Sequence, residues 1–125
     1  RQGFPFFAGS ITVEKKFDAA DGEVIDFEKC GINVVKARVN GIDAGKFMWE
    51  PYRTEISDFV HEGKNTIELT LINNLRNLEG PFHLADGESY FVGPGSFYKE
   101  KCIWSGGTPW NDDYCFADVG ITNRK

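Results

Sequence analysis

In Thr66-Ile67-Glu68-Leu69-Thr70-Leu71, apolar Ile67, Leu69 and Leu71 alternate strictly with polar Thr66, Glu68 and Thr70. Successive side chains of a strand point to opposite faces, so this period of two predicts a strand with one buried face and one wet face. The same reading extends outward in both directions. Val35, Ala37 and Val39 alternate with Lys36 and Arg38, Ile11 and Val13 with Ser10, Thr12 and Glu14, and Ile25 and Phe27 with Asp26 and Glu28. At the far end, Cys115, Ala117, Val119 and Ile121 fall on one face of the stretch 114–121, which reads as a closing strand.

Turn chemistry separates these runs. Asp21-Gly22 divides the first two strands and Asn40-Gly41 ends the third; both pairs tolerate the positive φ that tight turns require. The stretch 57–63 reads as a single helical turn, with Ser57 as its N-cap and Gly63 as its stop. No longer helix is predicted. Between Asn73 and Asp113 the period fades, and Gly80-Pro81, Gly93-Pro94-Gly95, Gly106-Gly107 and Pro109 mark a long punctuated loop. Short strands joined by Gly, Asn and Asp turns, with almost no helix, predict an all-β fold, an antiparallel β-sandwich.

Composition narrows the function classes. A length of 125 residues suits one domain, taken here as a single module spanning 1–125. With 11 Phe, 4 Tyr and 3 Trp the chain is too aromatic for disorder. No apolar run approaches the ~20 residues of a membrane helix, so a membrane partner is not expected. Nor is nucleic acid, because the net charge is −5 and no basic run exceeds a pair. Cys30, Cys102 and Cys115 stand far apart and leave the redox compartment undecided. The opening at Arg1, without a leader, is expected of a piece cut from a longer protein.

A wider pattern carries a resemblance. Val39-Asn40-Gly41 is followed by Gly45, Trp49-Glu50-Pro51-Tyr52, Glu55-Ile56-Ser57 and Gly63-Lys64-Asn65-Thr66-Ile67-Glu68-Leu69. This order resembles the sugar-binding domain of family 2 glycoside hydrolases, a jelly-roll sandwich of the galactose-binding-domain-like kind. Leu75 to His83 is similar to a segment in C-terminal modules of large bacterial glycoside hydrolases. The resemblance implies a non-catalytic accessory domain, with the catalytic carboxylates in a separate barrel of ~250 residues that this chain is too short to contain. Its implied partners are an oligo- or polysaccharide and the catalytic domain of a parent chain, and its implied setting is secreted or periplasmic.

Candidate binding residues follow from sugar chemistry. Sugars present apolar C–H faces to aromatic rings while amides and carboxylates bond their hydroxyls, which singles out Trp49, Tyr52, Trp104, Trp110, Asn111 and Asp112. The plainer reading, ranked ahead, has these rings filling the sandwich ends or an interdomain contact. Arg76, Asn77, His83 and Glu79, around Gly80-Pro81, are a second constellation, able to hold a ligand with the arginine bidentate to a carboxylate such as a uronic acid. Here ordering of a long loop is the favoured alternative. Structural calcium is common in modules of the resembling kind, and Asp18, Asp21 and Glu23 place oxygen ligands close together in one turn. Turn aspartates, however, usually bond their own backbone. No nucleophile elbow or paired catalytic carboxylate emerges, so the chain is not expected to be an enzyme by itself. The other reading is of a purely structural domain, with Phe4, Phe6, Phe7, Trp49 and Trp104 as packing surface.

Overall fold

The computed structural model describes residues 4–21, 23–85, 92–99 and 110–123; the side chains of Asp21 and Asn123 fall outside that description. The chain divides into two compact units: Gly9–Asn74 with Val119–Lys125, and Arg1–Ala8 with Leu75–Asp118.

The first unit is an antiparallel β-sandwich. Among the described residues its strands are β1 (Gly9–Asp18), β2 (Val24–Cys30), β3 (Val34–Val39), β4 (Ile42–Phe47), β5 (Arg53–Glu55), β6 (Lys64–Asn73) and β7 (Ile121–Asn123). One sheet has the order β1-β6-β3-β4 and the other β5-β2-β7. All the pairings are antiparallel.

The alternation read from the sequence sets which face is buried. Val35, Ala37 and Val39 are 0% exposed, because β3 is a central strand and its inward face meets the other sheet. Opposite them in register stand Leu71, Leu69 and Ile67 of β6. From the second sheet Ile25 and Phe27 enter the same core, and the Phe27 ring meets Phe47 edge to face at 5.2 Å. Burying a valine or phenylalanine side chain of this kind stabilises by about 1.5–3 kcal/mol.

Asn40 (φ 51°) and Gly41 (φ 79°) both adopt positive φ and join β3 to β4 in a two-residue turn. That is the turn whose twist matches a hairpin, and it is why Asn-Gly suits it. The Asn40 amide then reaches inward. Its Nδ2 donates to the Phe59 carbonyl (2.8 Å) and to Asn65 Oδ1 (2.8 Å), while its Oδ1 accepts from the Thr66 N–H (3.0 Å). Buried Asn65 donates from Nδ2 to the carbonyls of His61 (2.8 Å) and Gly63 (2.9 Å), and its Oδ1 also accepts from the His61 N–H (3.0 Å). Two asparagines thus tie the hairpin, the segment before β6 and the first residues of β6 together.

Pro51-Tyr52 carries the chain from β4 in one sheet to β5 in the other. The Tyr52 carbonyl accepts from the Phe27 N–H (3.0 Å) on the way.

Two local readings differ from the structure. The turn after β5 is a 3₁₀ turn over Ser57–Phe59, with Ile56 at its N-cap position and no side-chain cap. The expected closing strand over 114–121 is confined to β7, Ile121–Asn123, and residues 114–119 are irregular. Their backbone groups are already engaged. Cys115 N–H donates to the Phe82 carbonyl, and the Asn77 side chain takes both the N–H and the carbonyl of Ala117 (2.8 Å each). Gly120, at φ 143°, then turns the chain before β7.

The second unit contains, among the described residues, one α-helical turn, α1 (Arg76–Glu79), a 3₁₀ turn over Pro94–Phe97 and an isolated bridge between Leu84 and Trp110. Its order comes from ring contacts: Phe82 stacks on Tyr114 (5.0 Å, 24°), and Phe116 meets Phe6 edge to face (5.1 Å). Among the described residues no helix is long and apolar enough to cross a membrane. Cys30 and Cys115 are free thiols, and Cys102 lies outside the described residues.

Candidate functional site

The candidate residues fall into two groups, one in each unit. In the sandwich, β4 is an edge strand, and the chain leaves it at Phe47 through Met48, Trp49 and Glu50. Phe47 turns inward and is buried, so the next residues are carried past the rim of the sheet. Trp49 is 69% exposed and Met48 is also exposed. Beside them opens a cleft of about 220 Å³, lined by Lys46, Trp49, Pro51, Arg53 and Thr54 among others. Phe47 also lines it, and Arg53 and Thr54 of its lining belong to β5. Tyr52 is partly buried against the core and does not line the cleft.

A large exposed indole is costly to leave in water, and beside a cleft with cationic and hydroxyl groups it has the make-up of a ligand platform. Arg53 lies within ion-pair distance of Asp26 (3.8 Å) and Glu55 (3.3 Å), so its charge is already balanced by two carboxylates. Sequence reasoning singled out Trp49 but missed Lys46, Met48, Arg53 and Thr54. The available signal was an apolar pair, Met48-Trp49, placed where the alternating pattern of β4 had already ended.

In the second unit the structure brings His83, Trp110, Asn111 and Asp112 together. The His83 ring stacks on the Trp110 indole (4.5 Å, 16°), and His83 Nδ1 lies 2.9 Å from the Asn111 carbonyl. The His83 carbonyl in turn accepts from the Asn111 N–H (2.8 Å). Trp110 Nε1 donates to Asp112 Oδ1 (3.0 Å), and Lys99, which the sequence reading missed, holds the same carboxylate at 2.9 Å. The hydrogen bond from Lys99, followed by that from Trp110 and the Lys99 charge, holds the Asp112 carboxyl below its ordinary range.

The lowering makes the Lys99–Asp112 interaction pH-dependent. The interaction is complete above the ordinary carboxylate range and is lost as pH falls through the lowered folded value. Lys99→Met is expected to move the Asp112 titration, followed by NMR of its carboxyl carbon, back up toward the ordinary value. An unchanged midpoint would mean that Lys99 does not hold the carboxylate in solution.

Asn77 is 2% exposed and wholly engaged by Ala117, so it orders the loop rather than facing a ligand. Arg76 opens α1 beside it. Trp104 lies outside the described residues. At the calcium candidates, Asp18 Oδ1 accepts from the Ala20 N–H (3.3 Å), closing the turn on its own backbone, and the Glu23 carbonyl accepts from the Ile56 N–H (2.7 Å). The Asp21 side chain is outside the description. Among the described residues no three His, Cys, Asp or Glu side chains gather as a metal would need.

No protein-family model and no curated protein matches the chain in sequence. Among solved structures, it is similar to the rhamnosidase from Novosphingobium sp. PP1Y, with 20% identity and a TM-score of 0.57 over 98% of this chain. It is also similar to the β-D-glucuronidase of Dictyoglomus thermophilum, with 24% identity and a TM-score of 0.45 over 54% of this chain. The chain spans 11% and 13% of those two chains' lengths. The likeness to the rhamnosidase, which takes in nearly the whole chain, is one of fold.

Proposed function

We propose that this chain is a non-catalytic accessory module of a glycoside hydrolase, a galactose-binding-domain-like jelly roll that holds a saccharide on the Trp49 cleft. The observation that carries the reading is the exposed indole of Trp49 beside an open cleft at the sandwich edge. Two findings support the setting: the ordered pattern from Asn40 to Leu69, and a fold shared with a small part of a much longer rhamnosidase. Tethering of this kind raises the local concentration of a polysaccharide at a catalytic domain of the same chain.

In this reading the His83, Trp110 and Asp112 set orders the second unit, because its indole N–H, carboxylate and ring face are already taken by neighbours. A second reading, of a domain that packs against other domains and binds no sugar, draws on a different observation. In the second unit Phe4 (73% exposed), Phe6, Tyr98 and Tyr114 leave large rings in water.

A two-dimensional amide and indole NMR titration of the 125-residue chain separates the two. Against a panel of neutral and acidic oligosaccharides, the Trp49 indole signal is expected to shift saturably, in calcium and in chelator alike. A spectrum indifferent to every sugar, with concentration-dependent self-association, would replace the binding reading with the packing one. A response that needs calcium would bring the Asp18 turn back as a metal site.

A further inference from the structure

The cleft at Trp49 holds a lysine with no carboxylate partner among the described residues, on a chain that is acidic as a whole. Lys46 lines it, and Arg53 forms part of the β5 wall. Lys46 stands directly opposite Lys36 in the β3–β4 register, so the two ammonium groups leave the same face of the sheet. Like charges opposite each other across a ladder destabilise it. Nearby Arg38 pairs with Glu68 at 3.5 Å, but among the described residues no carboxylate pairs with Lys36 or Lys46.

The acidic groups near the cleft already have partners, and two of them balance the charge of Arg53. Asp26 and Glu55 sit on Arg53, and Asp43 Oδ1 accepts from the Gly45 N–H (2.9 Å). Glu50 is exposed and does not line the cleft. An anion there would relieve the lysine pair, whereas Arg53 already has its carboxylates.

From this arrangement we propose that the Trp49 cleft selects acidic saccharides, seating the C–H face of a uronate ring on the indole and its carboxylate against Lys46. The inference rests on the saccharide-binding reading above and adds the chemical class. A cleft of about 220 Å³ is smaller than the ~300–1,000 Å³ of pockets that enclose drug-sized ligands, which suits one sugar ring of a longer chain. Thr54, on the same wall, adds a hydroxyl for a ring oxygen.

The test is calorimetric titration of the 125-residue chain with tetramers of galacturonate, mannuronate and glucuronate, each beside its carboxyl-reduced, neutral counterpart. At least one uronate tetramer is expected to bind about tenfold or more tightly than its neutral counterpart, as one charge-assisted contact allows. That affinity is expected to fall with added salt. Lys46→Gln is expected to remove about tenfold of the uronate affinity and to weaken the neutral counterpart by a clearly smaller factor, while Lys46→Arg retains the uronate preference. Lys46 is exposed, and an unchanged amide spectrum of each variant establishes that the fold is intact.

Equal affinity for acidic and neutral tetramers, indifferent to Lys46→Gln, would overturn the acidic class and leave saccharide binding standing. Silence toward all the uronates with binding of a neutral sugar would do the same. Silence toward every acidic and neutral saccharide would overturn both.

Discussion

Asn65→Ala is expected to lower the stability of the chain by about 3 kcal/mol and its unfolding midpoint by on the order of 10 °C. Asn65 is 1% exposed and makes four hydrogen bonds through one amide, to Asn40, to the N–H and carbonyl of His61, and to the carbonyl of Gly63. Alanine fills less space and satisfies none of them. The cost is dominated by donors and acceptors stranded away from water, at roughly 1–3 kcal/mol for each that finds no new partner. Asn65→Asp sharpens the point, because it keeps the acceptor oxygen but sets a carboxylate against two carbonyls. It is expected to be at least as destabilising as alanine. Chemical denaturation with an unchanged m-value checks the result. A loss below about 0.5 kcal/mol, the range of ordinary surface substitutions, would mean that the Asn40–Asn65 tie does not hold the hairpin to β6.

Trp49→Ala carries the second large effect, and it is on binding rather than stability. The residue is exposed, so the stability is expected to stay within about 0.5 kcal/mol of the parent chain. Saccharide affinity is expected to fall about thirtyfold, the ~2 kcal/mol that marks an anchoring aromatic at a binding surface. Trp49→Phe keeps an apolar face of smaller area and is expected to fall between the two. Trp110→Ala inverts the pattern. It removes the ring against His83 and the donor to Asp112, and so disturbs the second unit while leaving saccharide affinity at the Trp49 cleft intact. Should Trp49→Ala bind like the parent and Trp110→Ala not, the site would move to the Trp110 group.

The two units differ in how far they were legible in advance. In the sandwich, pattern and structure agree best at the central strands β3 and β6, which pair with partners that share their period, whereas Ile11 and Val13 of the edge strand β1 alternate as expected but stay exposed, at 46% and 42%. Ile67, Leu69 and Leu71 face Val39, Ala37 and Val35 in register, so one alternation reinforces the other. Asn40-Gly41 carries its own turn, since both residues accept positive φ. The stretch 114–121 has an equally regular alternation and still fails to form a strand over most of its length. Its Ala117 backbone is claimed by a distant side chain, Asn77, and its Cys115 N–H by Phe82, so no neighbouring strand has a ladder to join. An apolar period says which face can be buried and is silent on whether a partner strand exists.

The sequence alone therefore determined the fold class, the principal strands of the sandwich and its tightest turn, because these depend on residue-by-residue periodicity and backbone preference. It also marked Trp49, His83, Trp110, Asn111 and Asp112 as residues with binding chemistry. Only the tertiary structure decided which of them meet solvent and which meet each other. Trp49 is carried beyond the rim of an edge strand, on a cleft that Lys46 also lines, whereas Trp110 is folded onto His83 and tied to Asp112. Exposure and convergence are properties of contacts made across the chain, and those are set by which strand lies at the edge of a sheet and by what packs against each ring.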